Sequence, residues 1–204
     1  MKRLLPIIFL ILVSCSTSRL VESYRNPDID NPKINKILVI GITPKDKTRK
    51  RFEKNLVQEF RKRDIQGVAS IDFFDPYFTS SKQSEHDLAE LEEKLLDLGF
   101  NTVLMSRIKS VQDKVSLGQA FKSFSGNFSR DYYQNQALYL DEPDNTKKIY
   151  ITETALYRLS RNKNKEVIWR ARIDLINPKI IDNSINEYID ILISALGTED
   201  LLNK

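Results

Sequence analysis

The sequence predicts an α/β fold, with one domain over residues 36–204 in which helices pack on a single mixed sheet. Two observations lead to this fold class. Residues 37–108 contain two strand–helix–strand patterns in succession, which is typical of a sheet with parallel strands. Residues 149–174 alternate apolar and polar side chains on both sides of a turn-forming stretch, which predicts a β-hairpin. The predicted order is β-α-β-α-β-(insertion)-β-β-α.

The first predicted strand is the apolar run Ile37-Leu38-Val39-Ile40, whose β-branched residues and polar flanks indicate burial on both faces. A helix is predicted over residues 46–64, with Asp46 as its N-cap and Gly67 beyond its end. Apolar residues recur on one side of this helix, at Phe52, Leu56, Val57 and Phe60. The alternation of Ala69, Ile71 and Phe73 with polar residues then predicts a second strand.

The second helix is predicted to begin at Ser84, because Ser84 and Asp87 have the spacing of a capping box. Gly99 marks the end of this helix, and a third strand is predicted from Thr102 to Ile108. The hairpin over residues 149–174 follows the insertion. A last helix is predicted from a second capping box, Ser184 with Glu187, to Gly197.

The insertion, residues 117–147, is polar and rich in aromatic residues. Its aromatic residues recur at helix-like spacing, at Phe121, Phe124, Phe128 and Tyr132. One interpretation is a strip that packs on the domain. The other is a flap that contacts a partner or a ligand, since long loops in compact domains are often functional.

The first fifteen residues predict a bacterial lipoprotein. Lys2 and Arg3 precede an apolar run from Leu4 to Val13, which is too short to span a membrane as a helix and is typical of a signal peptide. The run closes with a lipobox, in which signal peptidase II recognises Leu12, Val13 and Ser14 and Cys15 receives the lipid. We therefore expect residues 1–14 to be removed and residues 15–35 to form a lipidated flexible tether.

Composition narrows the function further. Cys15 is the only cysteine, so its lipidation leaves no thiol for a disulfide, a zinc site or a nucleophile. Loss of Lys2 and Arg3 lowers the net charge from +4 to +2, which does not support nucleic-acid binding. A single histidine, His86, and six glycines predict neither a catalytic triad nor a metal site nor a phosphate-binding loop. We expect no catalytic residues, metal or cofactor.

Three charged features have more than one interpretation: the pair Asp72 and Asp75, the residue Glu153, and the opposite charges of two helices. Asp72 and Asp75 end the second predicted strand, where they either solvate the strand end or supply carboxylate chemistry. Glu153 is in phase with apolar residues, so we expect it to form a buried charge pair with Arg107, with Arg170 or Arg172 as other candidates, or to turn outward at a bulge.

The two helices of the first half carry opposite charge. Residues 45–63 hold nine Lys and Arg against three acids, and residues 84–98 hold six acids against Lys94. Either the two helices attract each other as neighbours, or the basic helix meets an anionic surface such as phospholipid headgroups.

Four segments together form a recognisable pattern: the signal ending in Cys15, the stretch Tyr24-Arg25-Asn26-Pro27-Asp28, the run Ile37-Leu38-Val39-Ile40-Gly41, and Val167-Ile168-Trp169-Arg170-Ala171. With these segments the chain resembles small lipoproteins of Bacteroidetes, particularly Flavobacteria. This resemblance implies no active site. The element order is also similar, at the level of fold only, to the N-terminal domain of the Tol-system propeller protein and to the curli-secretion lipoprotein.

For lipoproteins of that phylum, Ser16-Thr17-Ser18-Arg19 after the cysteine implies an outer-membrane anchor that faces the periplasm, because acidic residues that favour surface export are missing. We expect a non-enzymatic accessory protein of the cell envelope, attached to the membrane by its lipid, that binds an envelope protein. The alternative is a carrier for a small apolar or lipidic ligand, with the insertion as a lid. An enzyme that works through carboxylates alone is the third hypothesis.

Overall fold

The computed structural model describes residues 18–29, 33–75, 78–79, 81–111, 126–136, 149–161, 167–176 and 181–202. Six strands and five helices lie in these ranges. The strands are β1 (Ser18–Arg25), β2 (Lys36–Ile42), β3 (Gln66–Ala69), β4 (Thr102–Val111), β5 (Ile149–Arg158) and β6 (Val167–Ile176). The helices are α1 (Asp46–Arg61), α2 (Ser70–Phe73), α3 (Glu85–Asp97), α4 (Phe128–Asn135) and α5 (Ile181–Thr198).

All six strands form one mixed sheet in the order β1-β6-β5-β4-β2-β3. β2 runs parallel to β3 and β4, whereas β4, β5, β6 and β1 pair antiparallel in turn. The predicted fold class, an α/β domain with helices packed on a mixed sheet, is confirmed. The predicted hairpin is confirmed as well, as the antiparallel pair β5 and β6.

The sheet separates two apolar cores. Ile37 and Val39 of β2 face one core with α1 and α5, and Leu38 and Ile40 face the other with α3 and α4. All four side chains are fully buried, because a central strand covered on both faces presents every residue to a core. The molecule therefore has three layers, with a helix pair on each side of the sheet.

The predicted flexible tether over residues 15–35 is wrong for much of its length. Residues Ser18–Arg25 form β1, which pairs with β6 along its whole length, with one bulge between Leu20 and Glu22. Asn26 continues this attachment, since its backbone N–H donates to the carbonyl of Ile168 at 2.8 Å. An edge strand pairs with only one neighbour and is less buried than a central strand. Its sequence therefore shows only a weak alternation of apolar and polar residues, which is why β1 was not predicted.

Three predicted boundaries also differ. The second strand ends at Ala69, and residues 70–73 form the short helix α2, because the Glu53 carboxylate binds the backbone of Ile71 and the hydroxyl of Ser70. Asp46 is the first residue of α1 and not its N-cap, which is Lys45. α5 begins at Ile181, so Ser184 and Glu187 lie within the helix and do not cap it.

The capping box that opens α3 is confirmed. The backbone N–H of Asp87 donates to the Ser84 hydroxyl at 3.1 Å, and the backbone N–H of Ser84 donates to the Asp87 carboxylate at 2.9 Å. The Ser84 hydroxyl also donates to the Asp87 carboxylate at 2.7 Å, and this hydrogen bond, followed by the one from the Ser84 backbone N–H, holds the pKa of Asp87 below its ordinary value. Gly99 follows the helix with a φ of +81°, the left-handed conformation that favours glycine at a helix end.

Candidate functional site

The carboxyl ends of β2 and β3 meet at a buried ionic network, in the part of the sheet where α/β proteins place their sites. Glu53 of α1 is at its centre and is fully buried. Its Oε1 accepts hydrogen bonds from the Gly41 backbone at 2.8 Å, from Arg49 Nε at 3.0 Å and from the Ser70 hydroxyl at 2.7 Å. Its Oε2 accepts from the backbone N–H of Ile71 at 2.8 Å.

This network fastens α1 to the sheet. Each carboxylate oxygen of Glu53 receives at least one hydrogen bond from the protein, and together these bonds connect α1 to the ends of β2 and β3. Gly41 allows the contact, because a Cβ there would lie 2.9 Å from the ring of Phe52. The sequence prediction missed Glu53. The available signal was its spacing of four residues from Arg49, next to the apolar side of the helix.

A second polar cluster lies under α5, near the middle of β4 and β5. Tyr188 is buried, and its hydroxyl shares hydrogen bonds with Ser106, at 2.7 Å, and with Thr154. Burial raises the pKa of the Tyr188 phenol above its ordinary value of 10.0, and the hydrogen bonds from Ser106 and Thr154 oppose this shift.

A cavity of about 30 Å³ adjoins this hydroxyl cluster. It is lined by Gly41, Thr43, Thr48, Phe52, Ser106 and Tyr188 together with neighbouring apolar residues. That volume is on the scale of a single water molecule and well below the ~300 Å³ or more of a small-molecule pocket. The arrangement therefore suits a buried hydrogen-bond network that joins α5 to the sheet.

The structure brings Arg107 and Glu153 together on the opposite face of the sheet. They are registered partners on β4 and β5, and both are buried. The Arg107 guanidinium donates to Glu153 Oε2 and to the side-chain carbonyl of Asn135 on α4. Glu153 Oε1 is also buried and has no hydrogen-bond partner among the residues that the structure describes.

The Arg107–Glu153 pair continues into α4. Asn135 donates to the backbone carbonyl of Asp131 at 2.6 Å, and the Tyr157 hydroxyl donates to the Asp131 carboxylate at 2.9 Å. Of the other candidate partners for Glu153, Arg172 pairs with Asp174 at 2.9 Å and the Arg170 guanidinium lies over the Tyr24 ring. The pair thus holds the middle of the predicted insertion on the sheet.

Two aromatic residues of the predicted insertion are part of the core. Phe128 and Tyr132 are fully buried, and their rings lie 6.0 Å apart. Tyr132 also contacts Phe74 and Phe78, and Phe128 contacts Tyr157 at 5.9 Å. The packing interpretation therefore holds for residues 126–136. Phe121 and Phe124 lie outside the described residues.

The remaining charged candidates lie apart on the surface. Asp72 is 57% exposed and forms a salt bridge with Lys54 at 3.3 Å. His86 is 81% exposed, and its Nε2 lies 3.2 Å from Glu90 Oε1. Asp75 is also exposed. Within the described ranges, no group of three or more His, Cys, Asp or Glu is placed to hold a metal ion.

Edge strand β1 carries several exposed apolar side chains. Among the described residues, the exposed large apolar side chains are Leu20, Val21, Tyr24 and Leu98, and the first three belong to β1. A groove of about 430 Å³ lies beside Leu20, between Leu20 and Ser23 of β1 on one side and the last turns of α5 together with Glu199, which follows that helix, on the other. One backbone edge of β1 pairs with β6, and the strand ends the sheet on its other side.

The predicted lipidation residue Cys15 and the predicted recognition residues Leu12, Val13 and Ser14 lie outside the described residues. Cys15 nevertheless precedes Ser18, the first residue of β1, by only three positions. A fully extended chain spans at most about 3.6 Å per residue, so the Cα atoms of Cys15 and Ser18 are within about 11 Å of each other. None of the described helices is long and apolar enough to cross a membrane.

No protein-family model matches the chain, and no curated protein matches it. Among solved structures, the chain is similar to the PelC dodecamer from Paraburkholderia phytofirmans, with a TM-score of 0.43 and 10% identity over 88% of this chain and 96% of that one. It is also similar to lipoprotein GNA1162 from Neisseria meningitidis, with a TM-score of 0.39 and 11% identity over 80% of this chain and 94% of that one.

Proposed function

We propose that this protein is a lipid-anchored lipoprotein of the outer membrane, facing the periplasm, whose domain binds an envelope protein through β1 and performs no catalysis. One observation carries the binding role. Three of the exposed large apolar residues of the described structure, Leu20, Val21 and Tyr24, belong to the strand that ends the sheet. Isolated apolar residues on a surface need no explanation, but several on one edge strand are typical of a site of association.

The edge strand offers two kinds of contact at once. Its outer backbone groups pair with an extended strand of another protein, which is the mode called β-augmentation. Its apolar side chains and the groove beside α5 then distinguish one partner strand from another. The bulge between Leu20 and Glu22 interrupts the regular edge, a device that limits indiscriminate pairing between sheets.

The interior polar groups support a binding role over a catalytic one. Glu53 is bonded to Arg49, Ser70 and two backbone groups, and Arg107 joins β4 to β5 and α4. Both networks connect layers of the fold. The anchor itself rests on the lipobox that ends in Cys15.

A photo-crosslinking amino acid at position 21 tests the binding site in intact cells. We expect a discrete adduct with one envelope protein when the probe replaces Val21. Leu98 is the matched control, because it is also an exposed apolar residue but lies at the end of α3, away from β1. Val21→Lys, combined with the probe at position 20, is expected to abolish the adduct.

Equal crosslinking from positions 21 and 98 would contradict the proposal. An adduct with twice the mass of the chain would show that the partner is a second copy of this protein. Incorporation of labelled palmitate tests the anchor separately. We expect the label to be lost in Cys15→Ala and kept in Ser16→Ala, and label that persists in Cys15→Ala would disprove lipidation at this residue.

A further inference from the structure

The start of β1 and the start of α1 lie at the same end of the sheet. Ser18 is registered with Leu175, Leu175 with Tyr150, and Tyr150 with Ser110 near the end of β4. β2 runs parallel to β4, and α1 begins at Asp46, four residues after β2 ends. Four strand spacings separate β1 from β2, which is about 19 Å across the sheet.

Three exposed lysines mark this end of the molecule. Lys45, Lys47 and Lys50 occupy the N-cap and the first two turns of α1. Within the part of the chain that the structure describes, none of them forms a salt bridge, whereas the next lysine, Lys54, pairs with Asp72. Lysines here are unfavourable for the helix, because the start of a helix carries partial positive charge. The local structure thus gives no reason for their presence.

The acidic helix does not neutralise these lysines. α1 packs on one face of the sheet and α3 on the other, so the sheet separates the two oppositely charged helices. This arrangement rules out the interpretation in which the two helices attract each other as neighbours. Asp46 is the one acidic residue in the first turn of α1, against the three lysines around it.

We infer that the carboxyl end of the parallel strands faces the membrane and that Lys45, Lys47 and Lys50 bind the headgroups of anionic phospholipids. The inference rests on the proposed lipidation of Cys15, which would hold the start of β1 within about 11 Å of the anchor residue. Charges near an anionic membrane interact with it over about one Debye length, roughly 8–10 Å. The lipid thus holds the domain near the membrane, and the lysines determine which side of the domain faces the membrane surface.

Vesicle binding by the form that begins at Ser16 measures the headgroup contact without the lipid. This form contains every described element and both apolar cores, and circular dichroism checks its fold. We expect tighter binding to phosphatidylethanolamine vesicles that contain phosphatidylglycerol than to those that contain phosphatidylcholine. The triple variant Lys45→Gln, Lys47→Gln, Lys50→Gln is expected to bind the anionic vesicles at least about tenfold more weakly, since each lysine near a membrane contributes roughly fivefold.

The matched control removes three exposed charges from the opposite end of the sheet, in Lys33→Gln, Arg61→Gln, Lys94→Gln. It should bind within about twofold of the unmodified form, because these residues lie well beyond one Debye length from the membrane. Equal losses of vesicle binding in the two triple variants would show that only the net charge matters and would overturn the inference. Equal binding of the unmodified form to anionic and neutral vesicles would overturn it as well.

Orientation is tested on the lipidated full-length protein in anionic vesicles with a quencher on the lipid headgroup. A fluorophore attached at Asp46→Cys should be quenched, and one attached at Asn35→Cys, before β2, should not. Equal quenching at both positions would overturn the orientation. A failure of lipidation is recognised separately, by missing palmitate label, and leaves the vesicle-binding result of the soluble form unaffected.

Discussion

Two buried glutamates, Glu153 and Glu53, differ in how readily their burial could be predicted from the sequence. Glu153 is conspicuous, because it interrupts an apolar alternation along β5, and its pairing with Arg107 follows from the register of β4 and β5. Glu53 is inconspicuous, because acidic residues are ordinary on a helix surface. Its burial depends on how α1 meets the ends of β2 and β3, which the helix periodicity does not specify.

Tyr188 makes the stability of the protein sensitive to alkaline pH. Because its pKa is raised in the folded state, the folded protein keeps a proton that the unfolded chain releases above about pH 10. Stability is therefore unaffected by this group below pH 10 and falls as pH rises further, by up to about 1.4 kcal/mol per pH unit. Urea unfolding between about pH 7 and about pH 11 measures this decline.

The variant Tyr188→Phe isolates the effect. We expect it to lose about 1–2 kcal/mol near neutral pH, because two hydrogen bonds disappear, and to decline less steeply above pH 10. Tyr24→Phe is the control, since Tyr24 is exposed. An alkaline decline in Tyr188→Phe that equals that of the unmodified protein would exclude Tyr188 as its source.

Among the elements, α4 decides how the middle of the insertion behaves. Phe128 and Tyr132 of this helix are fully buried in the core that also holds α3. We expect Phe128→Ala to destabilise the protein by about 3–5 kcal/mol, the range for removing a buried aromatic ring. Thermal or urea unfolding gives the change, and limited proteolysis should show faster cutting around residues 126–136.

Tyr133 provides the contrast on the same helix. It is only partly buried, and Lys82 Nζ lies 4.8 Å from the centre of its ring. Tyr133→Ala should therefore change stability by about 1 kcal/mol or less. Equal effects of the two substitutions would mean that α4 does not pack through the side that the structure shows.

At the scale of the whole molecule, β1 is part of the folded domain, which therefore begins at Ser18 and not at β2. β1 is registered with β6 at seven positions, and Arg25 Nη1 donates to the carbonyl of Glu199 after α5 at 2.8 Å. We expect a form that begins at Asn26 to lose a few kcal/mol of stability, because each cross-strand pair contributes about 0.2–1 kcal/mol.

The matched form begins at Ser18 and keeps β1. Unfolding of the two forms is compared under the same conditions, together with their solubility, since removal of β1 exposes the edge of β6. Indistinguishable stability and solubility would show that residues 18–25 behave as the tether that the sequence predicts.

The elements that were predicted well share a physical cause. β2, α1, α3 and the β5–β6 hairpin each bury a wide apolar face, and their periodicity appears directly in the residue order. β1, α2 and the start of α5 were predicted poorly. β1 is partly exposed on both faces, and α2 forms where Glu53 binds Ser70 and Ile71 from another helix.

Residue order was enough to predict the fold class and most of the central elements, because periodicity is a local property, and a short linear motif predicts lipidation at Cys15. The tertiary structure alone decided that residues 18–25 join the sheet, that α1 and α3 are separated by it, and that Lys45, Lys47 and Lys50 lie at the same end as the start of β1. These relations depend on strand order and register, which arise from pairing between segments far apart in the chain.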